Sequence, residues 1–399
     1  MKDFILARKL RIIFLIGRRQ FAKMMPQEEM ARMGRLKDGA KRFERAGSAA
    51  LRSLLRAALP RPTPVAGRLE PASVRRVLLV RQDSRLGNLI LLTPLLKGIR
   101  GAFPQAKTDV LVSDAYGEIL RSDPNVGRIF VLPKEMFWPD STLPVRLLWT
   151  LRRNRYDVAF DASAMHAFSL SSAVITALSG AWRTVGFDRG DAKVFLNELV
   201  PPPALPLHET LIQLCLLRHL LAGRAEGAPA ARPECHLTDP ERAEGKALWD
   251  SWGLGGDSVA LFVGARAEKR WPLENFLGLA GRIGAAGRRC VLFGGPAEKA
   301  LVEGLGLPAG SFLAPSLPLR RFASALAQAR AVVTADTGPM HLAVALGVPT
   351  VELFLGSATW SSEPWRYGYG HLPGHRVIDA GERKVGVDEV WQALQSLPA

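Results

Sequence analysis

At 399 residues the chain is long for one domain, and its 48% apolar content is ordinary for a soluble globular protein with two cores. Cys215, Cys235 and Cys290 are odd in number and lack CxxC spacing, which argues against a disulfide framework and fits a reducing compartment; the scattered histidines, with Pro373 and Gly374 between His371 and His375, argue against a metal site. Of the net charge of +16, residues 1–70 carry +11, from 17 Lys and Arg against 6 Asp and Glu, so the basic excess belongs mainly to an N-terminal arm.

The arm begins MKDFILARKLRIIFLIGRRQF. Arg8, Lys9 and Arg11 break its apolar run, making a poor transmembrane helix, and no signal-type cleavage site follows. A helix here sets Arg8, Arg11, Arg18 and Arg19 on one half and Leu6, Leu10 and Ile13 on the other. That pattern suits an interfacial helix on an anionic membrane and equally a basic helix packed on its own protein or extending into solvent. Few aromatics and no recognisable module weigh against nucleic-acid binding.

Pro60, Pro62, Pro64 and Gly67 mark a linker. Beyond it, apolar runs at 77–80, 109–112, 129–132 and 157–160 read as strands, with helical stretches at 89–102 and 143–154 among them. After a second break at 223–235 the alternation restarts, with strands at 258–263, 289–293, 331–334 and 350–354 and helices at 273–286, 318–329 and 338–347. This predicts an α/β protein of two doubly wound domains, 71–235 and 236–399, after the arm 1–70, with ligands bound at the carboxyl ends of strands in a cleft between the domains.

The loop RQDSRLGNLILLTP (81–94) follows the first predicted strand. It is read either as a turn in which Asn88 caps the next helix or as a ligand loop whose glycine permits a tight turn before an anion-binding helix start. Three loops of the second half share that position. Arg266, Lys269 and Arg270 precede Pro272, a combination that suits a phosphate at a helix start. Gly294-Gly295-Pro296 precedes Glu298, a candidate acceptor for sugar hydroxyls. Asp336-Thr337-Gly338 precedes a helix carrying His341 one turn in. Taken singly, each has a bland alternative: a solvated basic loop, a tight turn, and an aspartate cap with a packed core histidine.

Taken in order, these residues resemble the ADP-heptose:lipopolysaccharide heptosyltransferases, glycosyltransferase family 9. The resemblance runs from Arg81, Asp83, Gly87, Thr93 and Pro94, through Lys269-Arg270-Trp271-Pro272 and Phe293-Gly294-Gly295-Pro296 with Glu298, to Asp336-Thr337-Gly338, His341, Ala343, Ala345, Leu346, Gly347 and Pro349. It spans roughly residues 75–380 and leaves out the arm.

The resemblance implies a GT-B fold, two Rossmann-like domains facing a central cleft, with a last helix near 387–397 packing back toward the first domain. It implies inverting, metal-independent transfer of heptose from ADP-heptose to a lipopolysaccharide core acceptor, with no cofactor. Donor contacts fall on Lys269, Glu298, Asp336, Thr337, Gly338 and His341, and Lys269 is expected in an open cleft. One position departs from the family: its usual base is the aspartate after the loop glycine, where this chain has Asn88. An amide removes no proton, so Asp83 on the same loop is the expected base and Asn88 an acceptor-orienting group. Arg81, Arg85, Asp161 and His166 are the remaining acceptor-side candidates, Asp161 and His166 being alternative bases. The expected setting is the cytoplasmic face of an inner membrane, with a lipid-linked acidic glycan as acceptor, the arm on the anionic surface, and no nucleic acid. The alternative is a catalytically silent family member that binds a nucleotide sugar or glycolipid as a partner of other enzymes. The sequence leaves the exact sugar, the acceptor position and the oligomeric state open.

Overall fold

The computed structural model describes residues 69–82, 85–113, 115–132, 143–221, 232–266, 269–295, 306–356, 363–381 and 383–398, with isolated positions 62, 63, 65, 67, 298 and 302. Residues 1–61 of the basic arm and Asp83 lie outside the described residues. The chain divides into two compact units, bounded Met1–Gln82, Asp109–Asp114 and Phe130–Pro202 for the first and Asp83–Thr108, Ala115–Ile129 and Pro203–Ala399 for the second.

The first sheet contains β1 (Arg76–Arg81), β2 (Lys107–Val112), β3 (Ile129–Val131), β4 (Val158–Asp161), β5 (Arg183–Phe187) and β6 (Glu198–Val200), in the order β3-β2-β1-β4-β5-β6. The β1–β4, β4–β5 and β5–β6 pairs are parallel, with Val77 opposite Val158 and Val80 opposite Asp161. The helices of this half of the chain are α1 (Leu86–Ile90), α2 (Thr93–Ala102), α3 (Leu143–Arg153), α4 (Leu170–Leu178) and α5 (Ala192–Phe195). Leu78, Val80, Leu111, Leu148, Leu151, Ala159, Ile175 and Leu178 form one core where α3 and α4 cover the sheet.

The second unit begins its long C-terminal segment with α6 (Glu209–Leu220) and α7 (Asp239–Ser251). Then follow β7 (Val259–Phe262), α8 (Leu273–Ala285), β8 (Cys290–Phe293), β9 (Ser311–Leu313), α9 (Leu319–Leu326), β10 (Ala331–Ala335), α10 (Gly338–Ala345), β11 (Thr350–Leu355), α11 (Pro364–Tyr367), β12 (His375–Gly381) and α12 (Val387–Gln395). The sheet order is β12-β11-β10-β7-β8-β9, all pairs parallel. Each sheet thus reverses its winding between its first and fourth strands, the topological switch point of a Rossmann-like sheet, where strand ends open onto ligand loops. The β7 and β8 strands are buried along their whole length, as expected of a sheet covered on both faces.

All eight expected strands are present, together with four that short or weakly alternating runs hid: β5, β6, β9 and β12. The helix expected over 89–102 is two helices. Pro94 near the start of α2 has no N–H to continue the earlier helix, and Thr93 Oγ1 turns back to the Ile90 carbonyl at 2.8 Å. The segment carrying α1 and α2 groups with the second unit. There Gly98 lets α2 approach α6 closely, since a Cβ on it would lie 3.1 Å from the Leu214 and Leu217 methyls. The last helix, expected to reach toward the first domain, buries Val390 and Leu394 in the core of its own unit, with Leu279, Ile283 and Leu353.

Candidate active site

The donor-side candidates converge on the turn between β10 and α10. Asp336 follows the strand, its N–H bonded to the Leu353 carbonyl at 3.1 Å, and α10 begins at Gly338. Thr337, the N-cap residue, offers no side-chain cap; its hydroxyl donates to the Ala335 carbonyl at 3.2 Å. Pro339 has no N–H and the Met340 N–H goes to the Thr337 carbonyl at 3.1 Å, so the Gly338 N–H is the first-turn donor of α10 left for an anion at the helix start.

Lys269 Nζ lies 2.6 Å from Asp336 Oδ2, with side-chain exposures of 13% and 8%. The lysine expected in an open cleft is thus largely buried and already paired. Burial pushes the Asp336 carboxyl up, while the charge and hydrogen bond of Lys269 pull it back. An incoming diphosphate would draw on the same ammonium that this pair now uses.

The rest of the Lys-Arg-Trp-Pro stretch is structural. Trp271 is buried, donates from Nε1 to the Val385 carbonyl at 2.9 Å and meets Phe276 edge-on. Arg270 donates to the Ala265 carbonyl at 2.8 Å and stands 3.6 Å from Glu298 Oε1. Glu298 is itself committed: its Oε2 accepts from the Gly295 N–H at 3.0 Å. A Cβ on either Gly264 or Gly295 would sit 2.9 Å from that oxygen, so both glycines make room for the carboxylate that ties the two strand-end loops together.

His341 is buried, with Nδ1 2.8 Å from the Tyr369 hydroxyl. Burial, and next the positive charge of Lys269, hold it neutral by lowering its pKa to about 3. Tyr369 has no exposed surface, and its N–H donates to Glu352 Oε2 at 2.8 Å. Glu352 also accepts from Thr350 Oγ1 at 2.7 Å, and burial pushes it up to about 7. Tyr369 is thus held at two separate points, its backbone N–H by Glu352 and its hydroxyl by the His341 ring. Sequence reasoning missed Tyr369 and Glu352, because YGYGHLPGH has no periodic or motif-like signal.

The other edge of the His341 ring faces α1. A Cβ on Gly87 would lie 2.5 Å from His341 Cδ2, and one on Gly338 would lie 3.1 Å from Leu86 Cβ. Two glycines thus allow the start of α1 to lie against the start of α10. Asn88, half-buried, sits in the first turn of α1, and its N–H bonds to the Arg85 carbonyl at 3.1 Å. It does not cap the helix; the N-cap residue is Arg85, exposed and without a side-chain cap bond.

The remaining candidates lie in the first unit, at the carboxyl ends of β1 and β4. Arg81 is buried and donates from Nη1 to the Ala162 carbonyl. Asp161 is buried, accepts from the Ser163 N–H at 3.1 Å and the Ser163 hydroxyl at 2.5 Å, and faces Arg189 at 3.7 Å. Burial raises its pKa against the pull of Arg189 and Ser163. His166 is exposed in the turn beyond β4. Ser163 and Arg189, absent from the sequence-derived candidates, complete this cluster. Among the described residues no group of three His, Cys, Asp or Glu side chains is placed to hold a metal ion.

A profile of glycosyltransferase family 9 (heptosyltransferase) matches residues 145–375. The chain belongs to glycosyltransferase family 9. It is 30% identical over 290 residues to lipopolysaccharide heptosyltransferase 1 of Pseudomonas aeruginosa, covering 70% of this chain and 78% of that one. Among solved structures, a family 9 glycosyltransferase from Veillonella parvula superposes with a TM-score of 0.67 at 20% identity, covering 83% of this chain and 92% of the other. The ADP-heptose lps heptosyltransferase II of E. coli gives 0.64 at 22% identity, covering 80% and 98%. This family 9 chain is therefore a glycosyltransferase with two Rossmann-like parallel-sheet α/β domains, the GT-B fold of those heptosyltransferases.

Proposed function

We propose that this glycosyltransferase moves a heptose from ADP-heptose to a lipopolysaccharide core acceptor, with inversion and without a metal. The observation that carries the reading is the uncapped start of α10 beside the Lys269–Asp336 pair. A phosphate at that helix start finds the Gly338 N–H and the Lys269 ammonium, while His341, buried and neutral, lines the pocket wall without adding charge. The relatives' names supply the heptose and the lipopolysaccharide; the name of the E. coli structure supplies the ADP.

In the proposed reaction the Asp83 carboxylate takes the proton of an acceptor hydroxyl, and that oxygen attacks the anomeric carbon from the face opposite the diphosphate. The anomeric C–O bond breaks and its electron pair leaves on ADP, whose charge Lys269 and the Gly338 N–H offset. Asn88 orients the acceptor and exposed Arg85 and His166 are its further contacts, while buried Arg81 and Asp161 hold the strand-end loops in shape. Glu298 keeps the donor loops in register, consistent with its committed oxygen. The basic arm holds the enzyme on the anionic cytoplasmic face of the inner membrane.

Asn88 at the family's base position supports a second reading, a silent member that binds a nucleotide sugar without turnover. Mass-detected transfer from ADP-heptose to a purified truncated core acceptor separates the two. Product with an added heptose mass supports the enzyme reading. ADP-heptose binding with no product, under conditions where a family relative turns over, leaves the silent member.

A further inference from the structure

We infer that the outward face of α3, together with Trp182, docks on an anionic phospholipid surface. The sequence of α3, LPVRLLWTLRR, places Arg146, Trp149, Thr150 and Arg153 at i, i+3, i+4 and i+7, one stripe of the helix. Leu148 and Leu151, on the other side, belong to the core of the first unit. Trp149 is 56% exposed, and the Arg153 guanidinium stacks 4.3 Å above its ring.

The patch continues into the next turn of chain. Arg152 lies against Gly180, where a Cβ would sit 3.4 Å from its Cγ. Two residues on, Trp182 is 53% exposed; Arg183, 4.8 Å over its ring, is buried and paired with Glu198, so it backs the indole and adds no exposed charge. Arg155 is also exposed. Residues 143–156 hold four arginines and no acidic residue.

This chemistry selects its occupant. Large indole rings rest stably at the level of lipid headgroups, where an apolar body and a polar N–H each find a suitable medium. Arg146, Arg152, Arg153 and Arg155, exposed beside them, meet lipid phosphates with bidentate geometry, and Arg153 covers the face of Trp149. A protein partner with acidic side chains would satisfy the arginines but has no comparable use for two half-exposed indoles flanked by cations. The inference does not depend on which sugar the enzyme moves, and its test contains no transfer step.

The test uses the full chain with vesicles of phosphatidylcholine alone or with added phosphatidylglycerol, both carrying brominated acyl chains that quench nearby tryptophan. The chain has nine tryptophans, so site assignment rests on W149F/W182F, two exposed conservative changes whose folding is checked by Tm. The expected result is quenching on phosphatidylglycerol vesicles, little on phosphatidylcholine, and loss of the quenched component in W149F/W182F. R146E/R153E should require at least about thirtyfold more lipid for half-maximal quenching, the loss of two cations at about 1 kcal/mol each, before the repulsion of the new carboxylates. Undiminished quenching in W149F/W182F, equal quenching on both vesicles, or none on either overturns the inference. So does an oligonucleotide shift abolished by R146E/R153E in a protein that ignores vesicles.

Discussion

Replacing Gly87 by Ala tests the contact between α1 and the His341 ring. In an ordinary helical position the change stabilises by about 0.5–1 kcal/mol, because glycine loses more backbone freedom on folding. At Gly87 the new Cβ would fall 2.5 Å from His341 Cδ2. The ring has little room to retreat, since it is buried and its Nδ1 is held by the Tyr369 hydroxyl at 2.8 Å. Overpacking of this kind costs about 1–3 kcal/mol and outweighs the helix gain. Gly101, near the end of α2, is the control, because a Cβ there meets nothing within 4 Å. Gly101→Ala should therefore raise Tm slightly while Gly87→Ala lowers it, the two separating by roughly 4–10 °C. Gly87→Ala should also weaken ADP-heptose binding in calorimetry, because the displaced ring belongs to the proposed donor site. Adding Tyr369→Phe should recover part of the lost stability by freeing the ring to tilt. If Gly87→Ala is as stable as Gly101→Ala and binds donor normally, the close approach of α1 to α10 is wrong.

Lys269→Ala should weaken donor binding about 10–100-fold, the range for a lost charge-assisted hydrogen bond, and should lower Tm because Asp336 is left buried without its cation; unchanged affinity in titration calorimetry removes Lys269 from the site. Asp83→Asn should leave donor binding near normal and cut turnover by about 100-fold or more, whereas full turnover would pass the base role to Asp161 or His166. Acidification should destabilise the second unit. His208 and His341, lowered from 6.5 to about 3 by burial, contribute stability that is present above 6.5 and lost as pH falls toward 3, together on the order of 2–3 kcal/mol between pH 7 and 5.5. Glu352 has the opposite sign: raised to about 7, it contributes stability fully present below 4.5 and lost as pH rises through 7, so Glu352→Gln should steepen the acid loss in denaturant unfolding at these two pH values. Reversing Arg8, Arg11, Arg18 and Arg19 to glutamate should lower sedimentation with anionic vesicles at low salt; unchanged sedimentation would leave the arm packed or solvated.

Sequence alone was enough for the two α/β halves, because alternation of short apolar strands with amphipathic helices is a local property of the chain. Eight strands, the helix starts at Pro272 and Gly338, and the glycines of three strand-end loops all follow from residue type and spacing. The short strands ELV and SFL carry too few residues for a periodic signal, and only pairing with β5 and β8 makes them strands. The 89–102 stretch was read as one helix although Pro94 lies inside it, and that the segment groups with the second unit rests on contacts such as Gly98 with Leu214 and Leu217, more than a hundred positions away. The motif residues of the site were legible because each sits on one loop; their states were not. Whether Lys269 is open or paired, whether Glu298 is available or committed, and whether His341 is charged are decided by burial and by partners at Asp336, Gly295 and Tyr369. Those partners come from separate segments, and the cost of burying a charge or a polar group exists only once tertiary packing has removed the water around it.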